Sequence, residues 1–506
     1  MVRTIATLFS KCRLPPCGVL LAATMALVAC GGGGDTGPAA LSAATPTPAS
    51  TVTVADPVTP PPPPPPPIAS ATPTLSVTGT TRTIANTLYS YQASVSNATP
   101  TGFDWTWGDG TANSTSNAAP KMWRTLGSFN TQLSVNSGTT SWANSQTITV
   151  ADPISAGLQH TCTVMPDSTA TCWGDNGRGQ LGNGNTNTLA VPTAVPGLTQ
   201  VASMASGALH TCALSTAGTV SCWGWNFYGQ LGIGSTTNRL TPTAVIGLTD
   251  VIALKSNRSS TTCALKSNGT VSCWGNNSRG AIGDGAVSSN IRTTPSNVPN
   301  LSEVVSLAKG TGHTCALIDN GTIKCWGWNR AGMLGDGTTT DRSLPTSVLG
   351  ITDAVSVSAG FNHTCALLTN GTVSCWGRNE YGQIGNSNAT DQLLPTPVPG
   401  LSGVVALELG GYHACALKSD ATVVCWGYNG SGQLADGTNI NRNTPTVVPG
   451  LSNVAALTAG DGHTCALKTN GSMLCWGYNG EGELGDGSLI DKNTLSSVLG
   501  GAVFWK

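Results

Sequence analysis

The sequence predicts an all-β protein in which a small β-sandwich and a seven-bladed propeller follow a disordered, proline-rich segment. Three observations predict this fold class. The tripeptide Cys-Trp-Gly occurs seven times, at intervals of 50 to 52 residues. Each interval contains four short stretches with strand character, separated by glycine- and asparagine-rich turns. A repeating unit of about 50 residues with four strands is typical of one propeller blade.

The composition excludes some function classes. The chain of 506 residues carries 23 basic and 24 acidic side chains, which gives a formal charge of −1. Because each phosphate contact needs a lysine or an arginine, this balance excludes a basic nucleic-acid binder and a polybasic membrane-surface protein. Hydrophobic residues make up 39% of the chain, enough for a core, and the length indicates more than one domain.

Residues 1–29 have the pattern of an export signal. Arg3, Lys11 and Arg13 precede an apolar run of 13 residues at 17–29, which is too short to span a bilayer as a helix. The run ends in Leu-Val-Ala-Cys, which resembles the lipobox of bacterial lipoprotein signal peptides and implies lipidation of Cys30. Cleavage with an unmodified cysteine and a retained helix are the alternatives. By the same resemblance, glycine at position 31 implies sorting to the outer membrane.

Residues 30–73 contain few large apolar side chains, so the sequence predicts a disordered stalk. Its eight consecutive prolines at 60–67 predict a stiff spacer of roughly 25 Å. A docking ligand for an aromatic groove is the alternative for this run.

Residues 74–150 alternate in the manner of β-strands, at 75–77, 88–95, 132–135 and 147–150. Between them, Trp105 is followed after two residues by Gly108-Asp109-Gly110. This motif resembles the core of polycystic-kidney-disease (PKD) domains and implies an immunoglobulin-like sandwich that acts as a spacer. A tight turn explains the Gly-Asp-Gly segment, and a calcium site is the alternative.

Residues 151–506 hold the seven repeats, and each repeat carries a pair of cysteines. In the third repeat, a three-residue turn that ends at Gly269 places Leu265 opposite Val271 and Cys263 opposite Cys273. The two cysteines fall on a non-hydrogen-bonded pair, within reach of a disulfide. Metal binding by His-x-Cys is the alternative. The same register predicts the pairs Cys162–Cys172, Cys212–Cys222, Cys263–Cys273, Cys315–Cys325, Cys365–Cys375, Cys415–Cys425 and Cys465–Cys475.

The fifth repeat shows the order of strands within a predicted blade. We expect strand A at 355–359, strand B at 363–367, strand C at 372–376 and an outer strand D at 395–398, where proline is tolerated at a sheet edge. The repeated pattern Gly-x-x-His-Thr-Cys-Ala-Leu, followed by Cys-Trp-Gly-x-Asn-x-x-Gly-Gln-Leu-Gly, resembles the regulator of chromosome condensation repeat family. That resemblance implies a seven-bladed propeller. It does not fix the function, because members of the family catalyse nucleotide exchange, sense light or inhibit β-lactamases.

The residues that recur in every repeat are interpreted as architecture. Six histidines share one position of the repeat, which Thr261 fills in the third copy, so we expect each to bond a neighbouring blade. The same logic applies to Asp284, Asp336 and Asp486 in the glycine-rich loops. No nucleophile motif, zinc-protease motif or phosphate loop stands out, and we predict a protein without enzymatic activity, cofactor or metal.

Recognition is predicted where the repeats differ. In such a blade the A–B and C–D loops emerge at one face of the disc, here the loop face, and the B–C hairpins and D–A connections at the other, the hairpin face. Aromatic and arginine side chains follow Cys-Trp-Gly on the loop face, a composition typical of binding hot spots. Packing of these rings over blade edges is the alternative. The candidate binding residues are Trp225, Phe227, Tyr228, Trp328, Arg330, Arg378, Tyr381, Tyr428 and Tyr478.

These observations favour a monomeric bacterial surface lipoprotein that binds a protein or a glycan and meets the membrane only through its lipid. A secreted inhibitor of an extracellular enzyme is the first alternative. Nucleotide exchange on a GTPase is the second, although it needs a cytoplasmic partner and the uniform repeat length leaves no inserted wedge.

Overall fold

A computed structural model describes residues 72–79, 81–124, 126–256, 259–286 and 291–500. The predicted export signal, Cys30, the proline-rich segment and residues 501–506 lie outside these ranges. Apart from one 3₁₀ turn at Ser278–Gly280, all regular structure in the described ranges is β. These ranges contain no helix long and apolar enough to cross a membrane.

The first domain is a sandwich of two sheets. One sheet has the order β1-β3-β5 and the other β2-β7-β6-β4, with β2 and β7 parallel. Its strands are β1 (Thr74–Thr78), β2 (Arg82–Ile84), β3 (Leu88–Ser96), β4 (Gly102–Thr106), β5 (Ala118–Met122), β6 (Gly127–Ser137) and β7 (Thr140–Ala151). The four strand positions predicted from the sequence fall within β1, β3, β6 and β7.

Aromatic rings fill the space between the two sheets. Trp105 and Trp107 stack at 5.3 Å between ring centroids, and Tyr91 and Trp123 are fully buried beside them. The Gly108-Asp109-Gly110 turn has positive φ at both glycines. The Asp109 carboxylate forms a 2.7 Å ion pair with Lys121, so in this structure the aspartate holds a lysine of strand β5.

Seven four-stranded antiparallel sheets follow, each made from consecutive strands. The A strands are β8 (Ile154–Ala156), β12 (Val201–Ser206), β16 (Val251–Lys255), β20 (Val304–Lys309), β24 (Ala354–Ala359), β28 (Val404–Leu409) and β32 (Val454–Ala459). The B strands are β9 (His160–Val164), β13 (His210–Ser215), β17 (Thr261–Lys266), β21 (His313–Ile318), β25 (His363–Leu368), β29 (His413–Lys418) and β33 (His463–Lys468).

The C and D strands complete each blade. The C strands are β10 (Ala170–Gly174), β14 (Val220–Gly224), β18 (Val271–Gly275), β22 (Ile323–Gly327), β26 (Val373–Gly377), β30 (Val423–Gly427) and β34 (Met473–Gly477). The D strands are β11 (Leu189–Ala194), β15 (Arg239–Ala244), β19 (Arg292–Asn297), β23 (Arg342–Ser347), β27 (Gln392–Pro397), β31 (Arg442–Val447) and β35 (Lys492–Ser497). Strand D of the fifth blade begins three residues before its predicted start, because Gln392 already pairs with Gly377 across a bulge.

The predicted hairpin register and all seven disulfides are confirmed. Cys263 lies opposite Cys273, and Leu265 lies opposite Val271. Every pair joins strands B and C of one blade, with Cα atoms 4.0–4.1 Å apart. Both cysteines of each pair are fully buried, so each disulfide contributes to the core between adjacent blades as well as constraining its hairpin.

Five of the six repeated histidines place Nε2 within hydrogen-bond distance of a threonine in the next blade, as predicted, whereas the sixth blade has Ala414 at the position where His363 would meet that threonine. His160 Nε2 lies 2.9 Å from Thr211 Oγ1 in the next blade, and that hydroxyl donates to the carbonyl of Gln180 at 2.7 Å. The only hydroxyl hydrogen of the threonine is used in its hydrogen bond to the carbonyl. The threonine oxygen therefore accepts a hydrogen bond from Nε2–H of the histidine. Burial lowers the pKa of His160, His210 and His313 to about 3, which keeps these rings neutral.

The sandwich packs against the hairpin face of the propeller. The β2–β3 turn brings Ile84 and Thr87 to the mouth of the central channel, beside Leu307 and Val357 of the A strands. Further out, Tyr89 and Pro120 face the B–C hairpin of the sixth blade across a cavity of about 740 Å³. The loop face therefore lies on the side of the propeller opposite to the sandwich.

Candidate binding face

A buried asparagine shapes each C–D loop. In the second blade, Asn226 Oδ1 accepts from Leu231 N at 2.9 Å, and Nδ2 donates to the carbonyls of Ser235 and Thr237 at 2.8 and 3.0 Å. Gly224, just before the loop, has φ 97°, and a Cβ there would meet the backbone of His210. The bonds between the asparagine side chain and backbone groups therefore hold the loop, which leaves the side chains beside the asparagine free to differ between blades.

Three predicted residues form one aromatic cluster in the second blade. Trp225 and Phe227 stack at 6.0 Å, and Tyr228 meets them edge-on at 5.4 and 5.0 Å. Phe227 is 62% exposed, whereas Trp225 and Tyr228 are partly buried. The rings pack on one another, and one of them projects into solvent, which is the form of an exposed aromatic contact site.

Tyr381 and Tyr428 belong to a second cluster, which spans the fifth and sixth blades. Their ring centroids are 4.9 Å apart, and Tyr412 lies 5.4 Å from Tyr381 and 5.2 Å from Phe361. All four rings are partly buried. Burial and the carboxylate of Asp461 raise the pKa of Tyr412. Packing of rings across a blade boundary and exposure of a ring to solvent therefore both occur on this face.

The other predicted residues lie outside these clusters. The guanidinium of Arg279 lies over the ring of Trp328, 5.2 Å from the ring centroid. Arg330 is exposed, and Arg378 forms a 2.5 Å ion pair with Glu380. Exposed ion pairs of this kind add little stability. Arg378 and Glu380 could therefore separate and pair with charged groups of a ligand.

Carboxylates crowd the junction between the seventh and the first blade. Burial, followed by the carboxylates of Glu483, Glu481 and Asp491, raises the pKa of Tyr478 to about 12. Burial raises the pKa of Glu483 itself to about 8. Glu483 stands where four other blades carry glutamine, and its Oε2 accepts from Glu481 N as the glutamines do at Gln180 and Gln230.

Several unusual residues in and near this face were not predicted from the sequence. Ile440, Leu489 and Ile490 in the C–D loops of the last two blades are 62%, 58% and 67% exposed. They were detectable as apolar residues at positions where other repeats carry Thr or Asn. Lys309, at the end of strand β20, is fully buried, and burial lowers its pKa to about 7. Its Nζ donates to the carbonyl of His313 at 3.3 Å, so it is part of the blade.

The repeated aspartates of the C–D loops are held in ion pairs. Asp284, Asp336 and Asp486 lie 2.6, 2.9 and 3.8 Å from Arg292, Arg342 and Lys492 at the start of the outer strands. Within the described ranges no group of three or more His, Cys, Asp or Glu side chains could hold a metal ion. The described side chains of this face are aromatic rings, aliphatic groups and a few charged groups.

Comparison with known families identifies the repeats. The model of the RCC1-like domain matches residues 252–499, and models of the regulator of chromosome condensation (RCC1) repeat match residues 172–214 and 217–263, with a second model at 154–180 and 201–230. The propeller is built from RCC1 repeats.

Solved RCC1-type propellers share this fold. Yeast RCC1 (Prp20), in complex with Kap60, is similar with a TM-score of 0.58 and 24% identity, over 69% of this chain and 85% of that one. Human WBSCR16 gives a TM-score of 0.60 and 24% identity, over 66% and 94%. Among curated proteins, the RCC2 homolog of Danio rerio is 35% identical over 79 residues, which span 15% of this chain and 16% of that protein. At these levels the solved structures establish the fold of the RCC1-repeat domain and not its partner.

Proposed function

We propose that this chain is a bacterial surface lipoprotein whose RCC1-repeat propeller binds a protein or glycan ligand at its loop face, without catalysis. The single observation that carries the proposal is the placement of the two aromatic clusters. Both lie on the loop face, while the sandwich packs against the hairpin face. Phe227 is 62% exposed, so its ring is available for contact with a ligand.

The N-terminal sequence supports the cellular context of the proposal. The lipobox ending at Cys30 would anchor the chain, and the proline run at 60–67 would hold it away from the membrane. The sandwich, which we propose to be PKD-like, would then serve as a spacer. A propeller attached through its hairpin face would direct its loop face away from the sandwich, which suits capture of an external ligand.

The partners of the similar proteins do not transfer to this chain. Kap60, Gsp1p and histones are named with the yeast protein, which shares 24% identity with this sequence. The proposed compartment outside the cytoplasm separates this chain from such partners. We therefore propose an extracellular ligand.

Affinity capture with the full chain, purified in mild detergent, tests the proposal. The bait is exposed to culture supernatant, envelope fractions and purified polysaccharides, and a parallel bait carries Trp225→Ala, Phe227→Ala and Tyr228→Ala. We expect a ligand that the unmodified chain retains and the triple variant loses. If the ligand is an enzyme whose activity falls on binding, the inhibitor alternative replaces adhesion. Retention that is equal on both baits would contradict the proposed face.

A further inference from the structure

We propose that a sector of the loop face on the sixth and seventh blades, formed by Ile440, Leu489, Ile490, Tyr428 and Tyr478, is a docking surface for a protein segment that presents apolar side chains next to lysine or arginine. This inference rests on the proposed function, because it assigns a partner class to part of the same face. The five residues are called the apolar sector below.

The repeats themselves show that the fold does not require these aliphatic side chains. Counting from Cys-Trp-Gly, the positions of Ile440 and Ile490 are filled by Thr237, Thr340 and Thr390 in other blades. The backbone role is the same in each case. Asn429 Nδ2 donates to the carbonyl of Ile440 at 3.1 Å, as Asn379 Nδ2 donates to that of Thr390. The side chain is therefore free to be polar, yet in two adjacent blades it is isoleucine.

These side chains are also the most exposed of their kind. Ile490 and Ile440, at 67% and 62%, exceed the other exposed large aliphatic residues in the described ranges, and Leu489 follows at 58%. Burying exposed apolar area on association is the main source of affinity at protein interfaces. Aliphatic knobs of this kind suit apolar side chains of a protein better than the hydroxyl-covered surface of a sugar.

The sector is continuous with the aromatic cluster of the fifth and sixth blades. Asn439, beside Ile440, donates to the carbonyl of Gly430 at 2.9 Å, and Gly430 lies under the ring of Tyr428. Asn493 of the seventh blade donates to Asn439 Oδ1 at 3.0 Å, which links the two loops. Tyr428 in turn contacts Tyr381 at 4.9 Å. Hydrogen bonds therefore join the parts of the sixth and seventh blades that carry these side chains, and the tyrosine contact crosses the boundary between the fifth and sixth blades.

Charge supports a cationic partner. Around the sector, the ion pairs Arg378–Glu380, Asp436–Arg442 and Asp486–Lys492 are balanced. Asp391, Asp461, Glu481 and Asp491 add further carboxylates to the loops of the fifth and seventh blades. Burial, and after it the carboxylates of Glu483, Glu481 and Asp491, raise the pKa of Tyr478. A partner with lysine or arginine beside its apolar residues would complement both features of this surface.

Panning of a phage-displayed random dodecapeptide library on the immobilised full chain tests the inference. We expect the enriched peptides to combine Leu, Ile, Phe or Trp with Lys or Arg. A synthetic copy of the most enriched peptide is then titrated against the full chain and against the variant Ile440→Thr, Leu489→Thr, Ile490→Thr. This variant carries residues of the type that other blades have at these positions, so folding is preserved. We expect affinity to fall at least about tenfold, and to fall also as salt is raised.

Ile246→Thr with Leu349→Thr is the matched control. These aliphatic residues are 54% and 52% exposed but lie in the connections that follow strands D of the second and fourth blades, outside the apolar sector on the sixth and seventh blades. We expect the control to bind within about twofold of the unmodified chain. The inference is overturned if no peptide is enriched, if the enriched peptides are acidic, or if they bind the threonine variant equally well. It is also overturned if a glycan array gives the binding that this variant loses. Peptide binding that depends instead on Trp225, Phe227 and Tyr228 would reject this sector and leave the proposed function standing.

Discussion

His463 Nε2 of the last blade lies 2.9 Å from Thr161 Oγ1 of the first blade, and this contact helps to close the ring of the propeller. The hydroxyl of Thr161 donates a hydrogen bond to the carbonyl of Glu483 at 3.0 Å, and the indole of Trp173 donates to the same carbonyl at 2.8 Å. Ring closure therefore uses the bonds that join the other blades. Within the described residues each blade is made from one continuous stretch of chain, and side-chain bonds together with the backbone bond from Gly487 N to the carbonyl of Ala190 at 3.0 Å join the last blade to the first.

His463→Ala should destabilise the propeller by about 1–3 kcal/mol, because it removes a buried bond and leaves Thr161 without its donor. Thermal unfolding followed by circular dichroism measures the change. Thr261→Ala is the matched control, since Thr261 fills the histidine position of the third blade but donates to Asn276 within its own blade at 2.7 Å. If both variants unfold at the same temperature, the contact between His463 and Thr161 does not stabilise ring closure more than a bond within one blade does.

Glu483→Gln should raise the free energy of unfolding above that of the unmodified chain, and this gain should be larger at pH 8 than at pH 5. The folded-state pKa of Glu483, about 8, lies above its ordinary value of 4.5. An acid with a raised pKa contributes its full stability below pH 4.5, and this contribution is lost as pH rises towards 8. Glutamine removes this loss, which amounts to at most about 4 kcal/mol. Chemical denaturation at the two pH values measures it, and an equal gain at both would contradict the assignment.

Replacing Cys263 and Cys273 by serine should lower the free energy of unfolding by up to about 3 kcal/mol, because the unfolded hairpin regains its freedom. Peptide mapping of the unreduced protein should give seven hairpin peptides linked within repeats, and thiol labelling should find no free cysteine on strands B and C. A peptide linked between repeats would contradict the register that pairs Cys263 with Cys273.

Cys30→Ser should release the protein from the membrane fraction and abolish incorporation of labelled fatty acid, if Cys30 is lipidated as its lipobox implies. Fractionation of cells that express the two forms provides the measurement. Export should persist, because the apolar run at 17–29 is unchanged. Membrane retention of the serine form would contradict the lipoprotein assignment.

The periodic features of the sequence predicted more of this structure than its unique features did. Seven in-phase copies of Cys-Trp-Gly fixed the number of blades, and the turn at Gly269 fixed the pairing of Cys263 with Cys273, because a hairpin register follows from local geometry. The predicted start of strand D in the fifth blade, at residue 395, was three residues too late. Strand D begins at Gln392, because pairing continues past a bulge to Gly377. The contact of Ile84 with the propeller depends on packing between the sandwich and the propeller. No sequence pattern near Ile84 predicts such a contact.

Within the candidate face, composition located the aromatic residues but not their arrangement. Trp225, Phe227 and Tyr228 are close in sequence, and their cluster follows from one loop. Tyr381 and Tyr412 meet only because two blades stand side by side, and that distance cannot be read from spacing alone. Glu483 looks like a minor variation of glutamine in the repeat, and the packing of the first blade against it becomes visible only in the closed ring.

The central claim is that the loop face recognises a ligand while the repeated core holds the blades. Trp223, next to the cluster, is fully buried, and its Nε1 donates to the carbonyl of Gln180 in the preceding blade at 3.0 Å. Trp223→Ala should therefore lower the free energy of unfolding by about 3–5 kcal/mol. Changing Trp225, Phe227 and Tyr228 to alanine should leave Tm nearly unchanged, because these rings contact one another above the loop.

The most direct measurement is the ligand affinity and the Tm of these two variants, determined side by side with the ligand captured by the unmodified chain. We predict that the triple variant loses at least about 2 kcal/mol of binding free energy at nearly constant Tm, and that Trp223→Ala loses stability first. A triple variant that binds normally, or that unfolds the blade, would contradict the claim and make the aromatic cluster part of the packing.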